Sequence, residues 1–503
     1  MARRRVFCIT SLTIELERDE GMTFFKTATA ALILLFFFAA RAQAQRVVRV
    51  TDPDAVMPAE VSVAINPKNP EQIIGASFQR GRPPKPRAAS YTYVTTDGGK
   101  SWKTVAPQDA DDLVQGDDAV AFGGDGSAYH ARLSFDGIRV QRPKRAVSGI
   151  IVSASRDGGL TWGDPVPVVN HINTVTPFEG KPAVTVDNAA GSPHKGNVYL
   201  AWTRFDAYGS RDPECRTQIY FSRSTDGGKS FSMPFRISDA GGDCLDSDNT
   251  VEGAVPAVGP RGEVYVVWAG TLGLVFDKST DGGLTFGKDK VVGEMPGGWD
   301  FEVAGLDRAN GMPVTGVDLS TGPYKGALYV NWIDARNGDP DVFVASSRDG
   351  GETWSAPVRV NDDPLRNGKA QFFTWMSVDP SDGSLNVVFY DRRDTEGALT
   401  GLTFARSTDG GRTFVNYRIK QEPFACDARV FFGDYTGVAA YGGRVVAMYM
   451  HFVGERQLAV SAALFRFRTG TQELLSETGP TMTRLTTLDS SLTTFNSARA
   501  GGR

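Results

Sequence analysis

Three short segments carry carboxylates where a polar, glycine-containing stretch meets an apolar run: Gln115-Gly-Asp117-Asp118, Phe178-Glu179-Gly-Lys181 and Val251-Glu252-Gly253. Asp434-Tyr435 repeats the arrangement late in the chain. Carboxyl groups gathered at one mouth repel each other and lose hydration. That spreads their pKa values and lets one serve as an acid beside another serving as a base. Standing singly on solvated turns, the same side chains would only hold loops or pair with Lys and Arg. Arg204, Arg336 and Arg392 each follow an aromatic strand end (Trp202, Trp332, Tyr390). Guanidinium forks there match an anionic ligand, or else pair with Asp206, Asp334 and Asp391. Trp299, Phe372 and Trp375 could stack on sugar rings or seal a loop. Asp246, Asp248 and Asp300 add to the same polar segments. The 4 histidines are scattered, and no zinc spacing, phosphate-binding glycine loop or serine-nucleophile elbow occurs. No metal and no other cofactor is expected.

The elements that would position these residues are set by an internal repeat. One octet recurs: Thr95-Thr-Asp97-Gly-Gly-Lys-Ser-Trp102, and then the octets beginning at Ser155, Ser224, Ser279, Ser347 and Ser407. Successive aspartates (Asp97, Asp157, Asp226, Asp281, Asp349, Asp409) lie 60, 69, 55, 68 and 60 residues apart, a fixed turn among loops of variable length. Asp-Gly-Gly is tight-turn chemistry, and the final Trp or Phe anchors the returning strand. A calcium loop would need alternating carboxylates, which the octet lacks. Strand-type runs such as Asn197–Trp202, Glu263–Trp268 and Ala327–Trp332 precede the octets, and shorter runs follow them. Four strands per repeat, repeated radially, predict a β-propeller.

Six octets mark six blades, starting near Val61, Ala119, Ala183, Ala254, Val314 and Thr374. Three further strands follow without an octet, so residues 46–50 are expected to supply the fourth strand of a seventh blade beside Leu458–Phe467. Six blades is the alternative. Such closure removes exposed strand edges. The octets occupy 3–4 turns, so the 2–3 and 4–1 loops gather on the opposite face. There Asp117, Asp118, Glu179, Glu252 and Asp434 would ring the channel mouth, and Arg336 and Arg392, from neighbouring blades, would point into one cavity.

A net charge of −4 with 22% charged residues gives no basic face for nucleic acid. Met22–Lys26, an apolar run over 27–40 and Ala42-Gln-Ala44 read as a signal peptide over 22–44, with residues 1–21 upstream of its start. The apolar run is short for a bilayer span. The expected chain is exported to the periplasm or medium, monomeric and not membrane-spanning, with the propeller over 45–467 and a Ser/Thr-rich flexible tail over 468–503. Export permits a disulfide. Cys215 in a 2–3 loop and Cys244 in the next 4–1 loop share a face and are expected to pair, leaving Cys426 free.

The octet in this strand context resembles the sialidase superfamily and its BNR/Asp-box relatives, over residues 46–467. Trp332-Ile-Asp-Ala-Arg336, Tyr390-Asp-Arg-Arg393 and Phe432-Gly-Asp-Tyr-Thr-Gly437 are similar to secreted bacterial Asp-box proteins. The resemblance implies an extracellular glycan or polysaccharide as partner and glycoside hydrolysis as the activity. It also implies Tyr435 as nucleophile, from its place on the last blade. The superfamily's early Phe/Tyr-Arg-Ile-Pro motif is missing. Phe235-Arg-Ile-Ser238 follows the third octet, which places it on an outer strand. A propeller that only binds polysaccharide or protein, or a polysaccharide lyase, are the other readings of the same loops.

Overall fold

The computed structural model describes residues 45–80, 87–106, 113–137 and 147–475. The signal peptide, the segment before it and most of the Ser/Thr-rich tail lie outside the described residues. Among the described residues every regular element is a strand.

The strands form seven antiparallel sheets. Blade 1 runs from its inner strand Ala59–Ile65 through Ile73–Gln79 and Ala89–Thr95 to Lys103–Val105. Blades 2 to 6 repeat this order from inner strands Val114–Phe122, Phe178–Val186, Glu252–Val258, Val314–Val317 and Gln371–Val378. Blade 7 is Gly437–Tyr441, Arg444–Gly454 and Gln457–Arg466, completed by Arg46–Arg49 from the start of the described chain. Each inner strand packs on the next, and Gly437–Tyr441 packs back on Ala59–Ile65, which closes the ring. The expected seventh-blade closure is present, with Arg46 opposite Leu464 and Arg49 opposite Ser461.

The six octets are identical machines. In each, the first hydroxyl donates to one carboxylate oxygen of the aspartate at 2.7–2.8 Å. The hydroxyl four residues after the aspartate donates to the other oxygen at 2.5–2.6 Å. Both oxygens are spent inside the turn, so the aspartates are structural. The final aromatic reaches the preceding blade: Trp162 Nε1 donates to Thr92 Oγ1 at 2.9 Å, and the Phe286 ring lies 4.8 Å from that of Phe221. The second glycine needs its missing side chain twice over. Gly283 has φ of +77°, and a Cβ there would stand 2.7 Å from the Phe221 ring.

These donors govern acid stability. In Asp97 and Asp281 partial burial pushes the carboxyl up, but the hydroxyl and backbone donors outweigh it and bring it down to about 2. In Asp226 the Ser230 hydroxyl leads, again down to about 2. A depressed folded-state pKa contributes stability above the unfolded value of 3.8 that is lost as pH falls through about 2. The melting temperature should therefore drop between pH 4 and pH 2, and Asp226→Asn should flatten that drop. A melting curve that holds constant across this window would contradict the assignment.

Cys215 and Cys244 are joined in a disulfide with Cα atoms 5.8 Å apart, tying the 2–3 loop of blade 3 to the 4–1 loop that leads to blade 4. Closing a loop of 29 residues' separation contributes about 3–4 kcal/mol on the chain-entropy account. Cys426 is free and buried. The ordered chain also runs past Phe467, the expected end of the propeller. Leu475 N–H donates to the Arg466 carbonyl at 2.7 Å and Gly470 N–H to Asp382 at 2.7 Å, so residues 468–475 are tied to blades 6 and 7.

Candidate active site

Five inner strands break register in a two-residue bulge near their loop-face ends: Glu60-Val61, Asp117-Asp118, Lys181-Pro182, Gly253-Ala254 and Phe373-Thr374. The first residue of each is left-handed, with φ of 58°, 51°, 51°, 75° and 47°. Glycine suits that conformation, as in blade 4. Three consecutive blades instead hold Glu60, Asp117 and Lys181 there, at about 1–3 kcal/mol each. Strain of this kind is kept where a side chain must be aimed.

All three border one loop-face cavity of about 620 Å³, together with Asp246, Glu252, Asp307 and Arg308. Phe78, Phe135, Phe178, Phe205, Tyr208 and Phe431 wall it. An apolar wall with a few convergent polar groups is the usual form of a small-molecule site. On its floor Lys181 Nζ donates to Asp434 Oδ2 at 2.5 Å. Arg308 grips Asp434 bidentately, through Nε at 2.8 Å and Nη2 at 2.5 Å, and reaches Asp246 Oδ2 through Nη1 at 3.0 Å. Asp246 is held further by Tyr208 Oη and Trp299 Nε1, both at 3.0 Å. Asp117 Oδ2 accepts the backbone N–H of Lys181 at 2.7 Å.

The charges follow from this packing. Burial would push Asp434 up, but Arg308 and Lys181 outweigh it and hold the carboxyl below its usual range. Burial works against the Lys181 and Arg308 cations, and Asp434 overrides it in both. Glu60 is raised well above the ordinary value by burial, then by Asp117 and Asp434. Glu252 is raised well above 4.5 by burial and then by Asp246. Thr250 donates to Glu252 Oε1 at 2.8 Å, and Oε2 has no protein partner. The site thus sets carboxyls whose proton affinity burial raises (Glu60, Glu252) beside one that cations hold below its usual range.

Of the sequence candidates, Asp117, Asp246 and Glu252 border this cavity, Asp434 lies at its floor, and the others lie elsewhere. The Asp118 side chain is fully buried, its Oδ1 2.5 Å from His130 Nε2. Glu179 is fully buried and saturated by His171, Trp202 Nε1 and Arg204. Tyr435 lines the channel cavity, about 660 Å³ between the inner strands, with Trp375 5.8 Å away. Burial, then Glu60, raises its phenol well above 10, the wrong direction for a nucleophile. Phe372 is core, stacked on Tyr390. Trp299 stands behind Asp246.

The expected arginine pair is corrected. Arg336 is captured by Asp334, two residues earlier, and lies over the Phe343 ring at 4.7 Å. Arg392 is buried, donating to Thr400 Oγ1 at 3.1 Å and to the Ala304 carbonyl at 2.6 Å. Arg204 pairs with Glu179 and lies 3.6 Å from the Tyr220 ring centre. Partners on their own or neighbouring strands hold all three away from the cavity. The cavity's guanidinium is Arg308, from the long 4–1 loop before blade 5. Neither it nor Glu60 stood in any motif, and only the bulge geometry exposes Glu60.

Residues 93–104 match the family model of the BNR/Asp-box repeat. Similar solved structures include a protein of unknown function from Dyadobacter fermentans, 14% identical over 85% of this chain and 99% of that one, with a TM-score of 0.49. The intramolecular trans-sialidase from Ruminococcus gnavus is 13% identical over 86% and 100%, with a TM-score of 0.43. An α-L-arabinofuranosidase from Fusarium graminearum is 13% identical over 84% and 98%, with a TM-score of 0.46. The chain is a seven-bladed β-propeller built on Asp-box repeats.

Proposed function

We propose that the loop-face cavity is the active site of a glycoside hydrolase, on a chain exported by the signal at residues 22–44. The observation that carries this reading is the run of charged residues held in strained bulges around one aromatic-walled cavity, where carboxyls of raised and of lowered proton affinity stand together. Glycoside hydrolysis needs that pair: one carboxyl protonates the leaving oxygen and another assists the incoming water. Glu252 is the acid, its proton on the unpartnered Oε2. Asp117 is the base, taking the proton of the water that attacks the anomeric carbon. Glu60, in the matching bulge of the neighbouring blade, is a positioning residue for Asp117. The rings of Phe78, Phe135, Tyr208 and Phe431 offer faces for the apolar side of a sugar.

A screen of chromogenic glycosides tests this with the parent, Asp117→Asn and Glu252→Gln. Each substitution should lower kcat by about 10²–10⁴-fold while the melting temperature changes little. Because Glu252 must carry its proton, the parent rate should fall as pH rises through its raised pKa, and Glu252→Gln should lose that limb. Sugar binding without turnover by the parent would leave a polysaccharide-binding propeller in place of an enzyme.

A further inference from the structure

The cations in the cavity are already spent. Arg308 presents its Nε–Nη2 edge, the fork that would seize a ligand carboxylate, to Asp434 at 2.8 and 2.5 Å, and its Nη1 to Asp246 at 3.0 Å. Lys181, with its side chain only 8% exposed, is bound to the same Asp434. Asp434 is itself fully buried, so a ligand cannot take its place without stranding a buried charge. Around them the acids outnumber the bases. Asp117, Asp246, Asp307 and Asp434 are four carboxylates against the two cations Lys181 and Arg308, before Glu60 and Glu252 are counted. A carboxylate entering here meets uncompensated negative charge in a poorly hydrated space, where repulsion is strongest.

We infer that Asp434 and Asp246 disarm Arg308 as an anion receptor, so that the cavity takes sugars without a carboxylate and rejects acidic ones. This rests on the glycan reading above and runs against the anionic ligand that the sequence arginines suggest. Asp246 is the specificity-determining member, because it is partly exposed and holds Nη1 of the partly exposed Arg308. Asp434 serves as the permanent clamp.

The test compares matched pairs that differ only at C6, the p-nitrophenyl β-glucoside against the glucuronide and the galactoside against the galacturonide, with binding read by calorimetry. The parent should bind the uronide at least tenfold more weakly in each pair. Asp246→Asn, which keeps the shape and removes the charge that offsets Arg308, should narrow that ratio at least fivefold. Asp307→Asn, at the exposed rim, should narrow it about twofold through charge alone. Equal or tighter uronide binding by the parent overturns the inference, as does an unchanged ratio in both folded variants. If no sugar of either kind binds, the glycan reading fails, and charge selection is then read with phenylacetate against 2-phenylethanol, through ring shifts of Tyr208 and Phe431. Phenylacetate binding as tightly as the alcohol would overturn the inference independently.

Discussion

An Asp434→Ala protein should unfold about 3–5 kcal/mol more easily than the parent. Asp434 is fully buried and its two oxygens receive three donors, one from Lys181 and two from Arg308. Removing it leaves a nearly buried ammonium and a guanidinium facing each other across an empty space, with repulsion where there was attraction. Lys181 then has Asp246, Asp117, Glu60 and Glu252 as its remaining acidic neighbours, and Arg308 keeps its ion pair with Asp246. The penalty comes from the stranded cations, so removing one of them should return part of it. Lys181→Met in the Asp434→Ala background should recover at least half the loss, whereas the same change in the parent should destabilise by leaving Asp434 with one donor fewer. Denaturant midpoints for the four proteins give the coupling energy directly. Simple additivity would mean that the cluster contributes through packing and that its charges are not coupled. The proposed glycoside hydrolysis should be lost in Asp434→Ala even where the protein stays folded, because the Lys181 backbone N–H donates to Asp117.

The fold was legible because its determinants are local. Each octet carries its own hydroxyls, carboxylate, glycines and aromatic anchor within eight residues, so the turn can be read without knowing what surrounds it. The seventh blade followed from counting strands against octets. The site has the opposite character. Its charged residues come from blades 1 to 4, the loop before blade 5 and the entry to blade 7, and Lys181 and Arg308 lie 253 and 126 residues from the Asp434 they hold. Glu60 sits in Pro58-Ala-Glu-Val61, which reads as an ordinary strand start; its positive φ is imposed by the bulge. Arg308 lies between Asp307 and Ala309 in a long loop with no periodicity. The arginines that did look poised, Arg336 and Arg392, were claimed by nearer partners. For Arg336 the rule is simple: a carboxylate two residues back, at the end of the same strand, reaches the guanidinium before any ligand does. Glu179 was similarly consumed, because the indole of Trp202 and the guanidinium of Arg204 emerge opposite it on the neighbouring strand.

Removing residues 45–50 should open the propeller. Arg46–Arg49 is the outer strand of blade 7, paired with Ser461–Leu464, and Val50 N–H continues the contact to the Val460 carbonyl at 2.8 Å. Gln45 adds a bond across to blade 6, its Oε1 accepting Lys420 N–H at 2.8 Å. Each ladder bond contributes roughly 0.5–1.5 kcal/mol, so the strand as a whole contributes several. The larger consequence is topological. Without it, Gln457–Arg466 becomes an exposed edge of ten residues, the kind of edge that pairs with another chain. The N-terminal strand also links blade 7 to blade 1 through the chain that follows it, so its loss weakens the seam of the ring. A protein beginning at residue 51 should therefore elute as oligomers or aggregate and be cleaved rapidly by protease, where one beginning at residue 45 resists. A synthetic peptide of residues 45–51, added during refolding, should restore protease resistance by refilling the vacant strand position. A Val48→Pro peptide, lacking the N–H opposite Ala462 and unable to complete the ladder, should not. Full resistance and monomeric elution of the shortened protein would show that the ring is held by its inner-strand packing alone.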